Sequence, residues 1–395
     1  MIKTIDECFS LIQNGANIKQ GDVDGGFPIT RIETITNDKF SRDRMGYAGI
    51  TDISKYTSYL LEDGDLLMSH INSVQYLGRT VLYVKQSDET IIHGMNLLRL
   101  KARRDVINPA YAKYCFYGHP FRSQIRKITK KSVNQASFAV KDLKQIKLNI
   151  PALSEQNEIV MILDKIQQVL AHRIDELSKL DDLIKARFVE MFGDPQINPF
   201  GWDVVNISEV VGGKVSNGFF AKRDDYVDDG NVSVLGVANI VNRMYSKVDE
   251  LPRTNAEDKD IEKFEVRYGD MLFCRSSLVA EGIGKASIIP ENVHENVLFE
   301  CHVIRLPLNL CKCVPEFMQT LSTMDFFRNQ VIAQSKTATM TTIGQEGIFK
   351  TNIILPPLDK QREFYVFVKQ IDKSKSDDFK NELKRFGKYN LWKFG

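Results

Sequence analysis

Three groups of side chains in this chain have types and spacings that chemistry could use. The first is basic. Between His119 and Ile150 stand Arg122, Arg126, Lys127, Lys130, Lys131, Lys141, Lys144 and Lys147 against a single acid, Asp142. Such a run suits phosphate contact, because each phosphate neutralised releases a counterion, although a solvated helix face has the same composition. The second group, Cys301-His302 with Cys311 and Cys313, has metal-ligand chemistry. Its spacing fits no zinc module, and buried structural thiols account for it better. The third, Asp377, Asp378, Glu382 and Lys384, supplies the acids and the lysine of a metal-dependent nuclease, but the charged face of a surface helix supplies them too. A GxxxxGK[ST] phosphate loop and the Asn-Pro-Pro-aromatic motif of adenine methyltransferases are both missing, so neither ATP nor S-adenosylmethionine has a recognisable site. No catalytic, cofactor or metal residues are assigned on this chain.

The elements that must position any binding residues are written twice. Gly64-Asp65-Leu66-Leu67 lies over Gly269-Asp270-Met271-Leu272, Pro151-Ala152-Leu153 over Pro356-Pro357-Leu358, Gln156 over Gln361 and Ile166 over Ile371, all at an offset of 205. Ile5-Asp6-Glu7 over Ile207-Ser208-Glu209 and Asn14-Gly15 over Asn217-Gly218 follow with a slightly smaller shift. Colinear anchors at so long a period mark a duplicated domain with a helix attached. In each copy, strands are expected after the Gly-Asp turn and again at Thr80-Val81-Leu82-Tyr83-Val84 or Ala286-Ser287-Ile288-Ile289. One helix is expected around Pro109 to Arg126 and one around Pro315 to Gln330, each opening near a proline. A closing strand, residues 146 to 150 or 351 to 355, leads through proline into a long helix. Each copy is therefore an α+β module with a helical tail.

The first tail, residues 151 to 195, carries Leu163, Leu170, Leu177, Ile184 and Met191 at every seventh position, interleaved with Ile166 and Leu180. That spacing predicts a coiled-coil helix, capped by Ser154 and stopped by Gly193 and Pro195, a rod of about 55 Å for roughly 37 residues. Arg173 and Arg187 fall in register with the seam and are expected at its edge, since a lone buried charge is costly. The second tail, from Asp359, repeats a weaker seam through Phe364, Phe367, Val368, Ile371, Phe379, Leu383 and Phe386 and is expected to end near Gly387. If the tails pair they run antiparallel, which would close the chain into a pseudo-two-fold ring.

The 395 residues carry 53 basic and 51 acidic side chains, a balance that argues against general coating of nucleic acid and leaves local patches as the relevant signal. The first ten residues include Asp6 and Glu7 and no apolar signal core, and no apolar run reaches membrane-spanning length, so a cytoplasmic protein without a membrane partner is expected. The six cysteines form no CxxC pair and are expected to be reduced.

Leu153-Ser154-Glu155-Gln156 with Ile159-Val160, the run from Leu180 to Lys185, and above all Arg187-Phe188-Val189-Glu190-Met191-Phe192-Gly193-Asp194-Pro195 followed by Asn198-Pro199-Phe200-Gly201-Trp202 resemble the DNA-specificity subunit of Type I restriction–modification systems. The resemblance spans nearly the whole chain. It implies two target-recognition domains, 1–150 and 195–355, each reading half of a split site in double-stranded DNA. It also implies two antiparallel spacer helices, 151–194 and 356–395. Such a subunit is not catalytic. It holds two methyltransferase subunits that use S-adenosylmethionine, and can recruit two restriction motor subunits that use ATP and Mg. The chain departs from the pattern at Phe386-Gly387-Lys388-Tyr389-Asn390, which replaces a longer second helix and bears on partner docking. The resemblance further implies DNA contact from the loop after the Gly-Asp strand: Ser69, His70, Asn72, Ser73 and Arg79 in the first copy, and Arg275, Ser276, Ser277 and Lys285 in the second. Arg can bond a guanine edge bidentately, Asn an adenine, and Ser either. The polar turn before the closing strand is the second candidate, with Lys130, Lys131, Asn134 and Gln135 matched to Lys336, Thr339, Thr341 and Gln345, the basic members suiting phosphates. A coiled-coil interaction scaffold without DNA readout fits the same repeat.

Overall fold

The structure, a computed structural model, describes residues 1–18, 25–132, 135–337 and 340–387, with the backbone alone at residue 37 and over 376–387. The chain divides into two compact units, Met1–Arg173 and Ile174–Lys388.

At the centre of the first unit, the strand Leu66–Ser69 lies in an antiparallel four-stranded sheet, with Thr80–Leu82 on one side and Leu97–Ala102, then Phe9–Asn14, on the other. Alternation along the strand sends Leu66 and Met68 to one face, under Phe116, Phe121 and Ile125, and Leu67 to the opposite face, beside Val81, Tyr83 and Ile35. Both faces are covered, which is why the strand reads as an unbroken apolar run rather than an alternating one. The Gly-Asp turn before it has a physical cause. Gly64 sits at φ +87°, where a Cβ is disfavoured, and the Asp65 carboxylate accepts from Glu62 N at 2.7 Å and from Arg99 Nε at 2.7 Å. Ile2–Thr4 pairs with the closing strand Lys147–Asn149.

The second unit repeats this plan. Asp270–Cys274 lies between Ala286–Ile288 and Val303–Pro307, with Ser216–Asn217 beyond the latter. Gly269 is at φ +90°, and the Asp270 carboxylate accepts from Arg267 N at 2.9 Å. Met271 and Phe273 join Phe317 and Phe327 on one face, while Leu272 and Cys274 join Val232, Leu235 and Phe299 on the other. Val204–Asn206 pairs with the closing strand Asn352–Ile354.

The helix expected in each copy is two helices, Pro109–Tyr117 with His119–Ile128, and Pro315–Thr323 with Asp325–Ala333. Gly118 turns out at ψ 150°, and Pro120 has no amide to continue the ladder. Met324, at ψ 149°, makes the same break without a proline.

The central helix is continuous from Leu153 to Phe192. Ser154 does not cap it. The first turn closes from Gln156 N to Ala152 O, which puts Ser154 inside that turn. The stop is as expected: Gly193 takes φ +76° and donates to Val189 O. The residues after it explain the most specific stretch of the family resemblance. Trp202 Nε1 donates to Phe192 O at 2.9 Å and so satisfies a helix-end carbonyl, and Asn198 bridges Trp202 through its amide, accepting from Trp202 N and donating to Trp202 O.

Each tail is fastened to its own module by a buried glutamine. Gln156 accepts from Asn108 N and donates to Val106 O and Pro151 O. Gln361 accepts from Val314 N and donates to Lys312 O and Pro356 O. Within the second unit, Ile184, Phe188 and Phe192 of the central helix are buried, and Phe188 and Phe192 each meet the ring of Phe364 at 5.6 Å. Asp181 meets Lys375 at 2.5 Å, so numbering falls along the distal helix, Leu358–Gly387, as it rises along the central one, and the two run antiparallel here. The buried positions are four apart, a ridge of i, i+4 residues rather than the heptad seam, and Leu170 of that seam is 51% exposed. Arg173 is buried instead of lying at an edge, whereas Arg187 is half-buried, bonded to Glu190 at 2.8 Å and set over the ring of Phe367. The side chains of Asp377, Asp378, Phe379, Glu382, Leu383, Lys384 and Phe386, and the segment from Lys388 on, lie outside the described residues.

Candidate nucleic-acid interface

The two candidate segments of the first module, apart in sequence, form one small antiparallel sheet. Ile71–Asn72 pairs with Ala136–Ser137, which pairs with Lys130–Lys131, placing Asn72 opposite Ala136 and Lys131 opposite Ala136 on the other side. Asn72 Nδ2 donates to Ser69 Oγ at 3.3 Å, and its Oδ1 accepts from Ser73 N at 2.7 Å. Lys130, Lys131, Ser73 and Gln135 are exposed and Asn72 is half-buried. Arg79 lies over the ring of Tyr76 at 4.6 Å and meets Asp38 at 3.2 Å, so its charge is partly satisfied. Ser69 and His70 are buried. His70 packs edge-on to Phe138, and burial pulls its pKa below the usual imidazole value, so both residues support the loop rather than face outward.

The second module builds the same sheet. Ser276–Ser277 pairs with Thr341–Thr342, which pairs with Lys336–Thr337. Lys336 is exposed, Ser276 accepts or donates at 3.2 Å with His302 Nδ1, and Ser277 Oγ accepts from Val279 N at 3.3 Å. Arg275 Nη1 donates to Cys301 O, and Lys285 Nζ to Asn242 Oδ1 at 2.7 Å. Thr341 is buried, with its hydroxyl 3.1 Å from that of Thr337. Cys313 is wholly buried, and among the described residues no three His, Cys, Asp or Glu side chains are grouped to hold a metal ion.

Strand register corrects the copy-to-copy matching of the hairpin. Lys130 does align with Lys336, but Lys131 aligns with Thr337, and Thr341 aligns with Ala136. Gln345, half-buried, opens the short helix Gln345–Phe349, the counterpart of Val140–Lys144, and does not correspond to Gln135. Asn134 and Thr339 lie outside the described residues.

Two features of these loops escape a reading of the sequence. Arg122, one of the basic run, is spent on the fold: its Nη1 donates to Leu77 O at 2.7 Å and its Nη2 to Gln75 O at 3.3 Å. Arg328 repeats the clamp in the second module, with Nη2 donating to Glu281 O at 3.0 Å. Each arginine fixes the short helical turn that follows the candidate strand. The turn Val74–Tyr76 and the loop leading into the turn Ala280–Gly282 present apolar side chains to solvent, Val74 at 47% exposure, Leu278 at 82% and Val279 at 58%. In a DNA groove such side chains would meet thymine methyls or a base step. Only their position beside the polar candidates could have pointed to them.

A family model described as the Type I restriction modification DNA specificity domain matches residues 1–179 and again 199–385. The chain is 31% identical over 191 residues to the putative type I restriction enzyme MjaX specificity subunit of Methanocaldococcus jannaschii, covering 48% of this chain and 45% of that protein. It is 25% identical over 162 residues to the type I restriction enzyme EcoKI specificity subunit of Escherichia coli, covering 41% of this chain and 34% of that one. It thus spans less than half the length of either curated relative. A solved S subunit of a Type-I restriction-modification system from M. genitalium overlaps 98% of this chain and 92% of its own at a TM-score of 0.49 and 12% identity. With the family domain matched twice, in step with the duplicated α+β module, this chain belongs to the Type I restriction modification DNA specificity family.

Proposed function

We propose that this chain is the sequence-specific DNA-binding subunit of a Type I restriction–modification complex, with each module reading one half of a bipartite site in duplex DNA. The observation that carries this reading is the small sheet built twice, in which the strand carrying the polar candidates, Ile71–Asn72 or Ser276–Ser277, is joined through a middle strand to one bearing Lys130 or Lys336. Candidate base-edge readers and candidate phosphate cations thereby share one small sheet, an arrangement that suits readout of a duplex. In this account the long helices set the distance between half-sites and dock two methyltransferase subunits, and two restriction motors can join them. S-adenosylmethionine, ATP and Mg act on those partners, the chain itself is not a catalyst, and it works in the cytoplasm. Among the described residues no helix is long and apolar enough to cross a membrane. Mapping genomic N6-methyladenine with and without the gene tests the reading. Loss of methylation at one split motif is the expected result, and an unchanged methylome would favour a scaffold that no longer reads DNA.

A further inference from the structure

The second unit contains a cleft of about 360 Å³ where the central helix passes the second module. Lys185 comes from the helix, Arg243, Lys285 and Arg328 from the module, and one acid, Asp181, shares the lining. Asp181 is engaged by Lys375 at 2.5 Å. Among the described residues none of the four cations meets a carboxylate within ion-pair distance: Arg243 and Arg328 donate to backbone carbonyls, and Lys285 to the side-chain amide of Asn242. A concave surface lined by an excess of one sign of charge, here four cations against one acid, concentrates its field and attracts the opposite charge.

Comparison with the first module shows how the space arises. The helices Pro109–Tyr117 and Pro315–Thr323 correspond residue for residue, so Tyr114, Phe116 and Tyr117 of the first copy are Thr320, Ser322 and Thr323 of the second. In the first module Tyr117 Oη donates to Thr80 O at 2.9 Å. In the second the equivalent carbonyl, Ala286 O, takes its bond from the side-chain amide of Gln319. Small residues thus replace three aromatic rings at the lining of the cleft.

We infer that this cleft binds a phosphate group, through Lys185, Arg243 and Lys285. The phosphate comes either from the backbone of the duplex, which rests on the function proposed above, or from free phosphate in solution, which does not. Lys285 favours the duplex, because it lies both in the cleft and at the end of the loop after the candidate strand.

The test uses the full chain, the double variant Lys185→Gln with Arg243→Gln, both of whose positions are exposed, and Thr323→Tyr, which returns the first module's side chain without changing charge. Duplex affinity is titrated against salt, and melting is followed as inorganic phosphate replaces chloride at constant ionic strength. For duplex phosphate, both variants should lower the slope of log affinity against log salt by about one to two units, as lost phosphate contacts do. For free phosphate, the slope should hold and the phosphate-dependent rise in melting temperature should disappear in both variants. A slope that falls in the charge variant and not in Thr323→Tyr would overturn the site, since surface charge alone explains it. Unchanged slope and unchanged phosphate response in both variants would overturn it too. If the wild-type chain binds no duplex at any salt, the proposed function fails, and the melting measurement alone decides the cleft.

Discussion

A buried glutamine and an exposed lysine pair mark the two kinds of residue that matter here. Gln361 is wholly buried and makes three hydrogen bonds at the joint between the second module and its helix. Gln361→Ala leaves Val314 N and two carbonyls without their partner, and should destabilise the second unit by about 2–3 kcal/mol in urea unfolding. An unshifted midpoint would mean that water replaces the amide without loss. The side chains of Lys130 and Lys131 are exposed, and among the described residues they make no ion pair or side-chain hydrogen bond. Replacing both by Ala should leave stability alone and weaken binding to all duplexes alike, flattening the salt dependence by roughly one to two units. If the slope stays put, these lysines are outside the interface. Burial separates the two kinds of residue, and composition does not: Arg122 counts as one more cation in the basic run, yet its guanidinium holds a loop.

At the scale of elements, the spacer can be tested by changing its length. Duplicating Asp175-Glu176-Leu177-Ser178 adds four residues to the central helix, about 6 Å of rise and roughly 40° of rotation. Duplex DNA advances about 3.4 Å per base pair, so the second half-site should be met one or two base pairs further along with both half-motifs unchanged. The helix contact would slip at the insertion, which costs some stability. Identical spacing from a folded, active variant would show that the helix does not set the distance. The elements that carry this argument were legible in the sequence to different depths. The Gly-Asp turns, the central strands and the helix stop at Gly193 follow from local rules, positive φ and apolar runs, and were read directly. The break at Met324 has no proline to announce it. The pairing of Ile71–Asn72 with Ala136–Ser137 joins strands of two residues across a long stretch of chain, too short for any periodicity to reveal. In the hairpin the connection between the strands is one residue longer in the first copy, Lys131 to Ala136, than in the second, Thr337 to Thr341, so no single offset carries both strands from one copy to the other. Arg173 falls in register with the seam, where a lone buried charge is costly and an edge position is the reading the pattern gives, yet the residue is buried.

For the whole molecule, the account rests on duplication. The family domain is matched twice, and each copy carries its own sheet, its own arginine clamp and its own glutamine joint. Modules complete in themselves should read independently. The direct test replaces residues 1 to 150 with the corresponding module of a relative whose methylation motif differs, then maps N6-methyladenine in cells carrying the hybrid. The account predicts a motif with one half exchanged and the other half retained at the same spacing. A hybrid that still supports methylation but changes both halves, or neither, would contradict it.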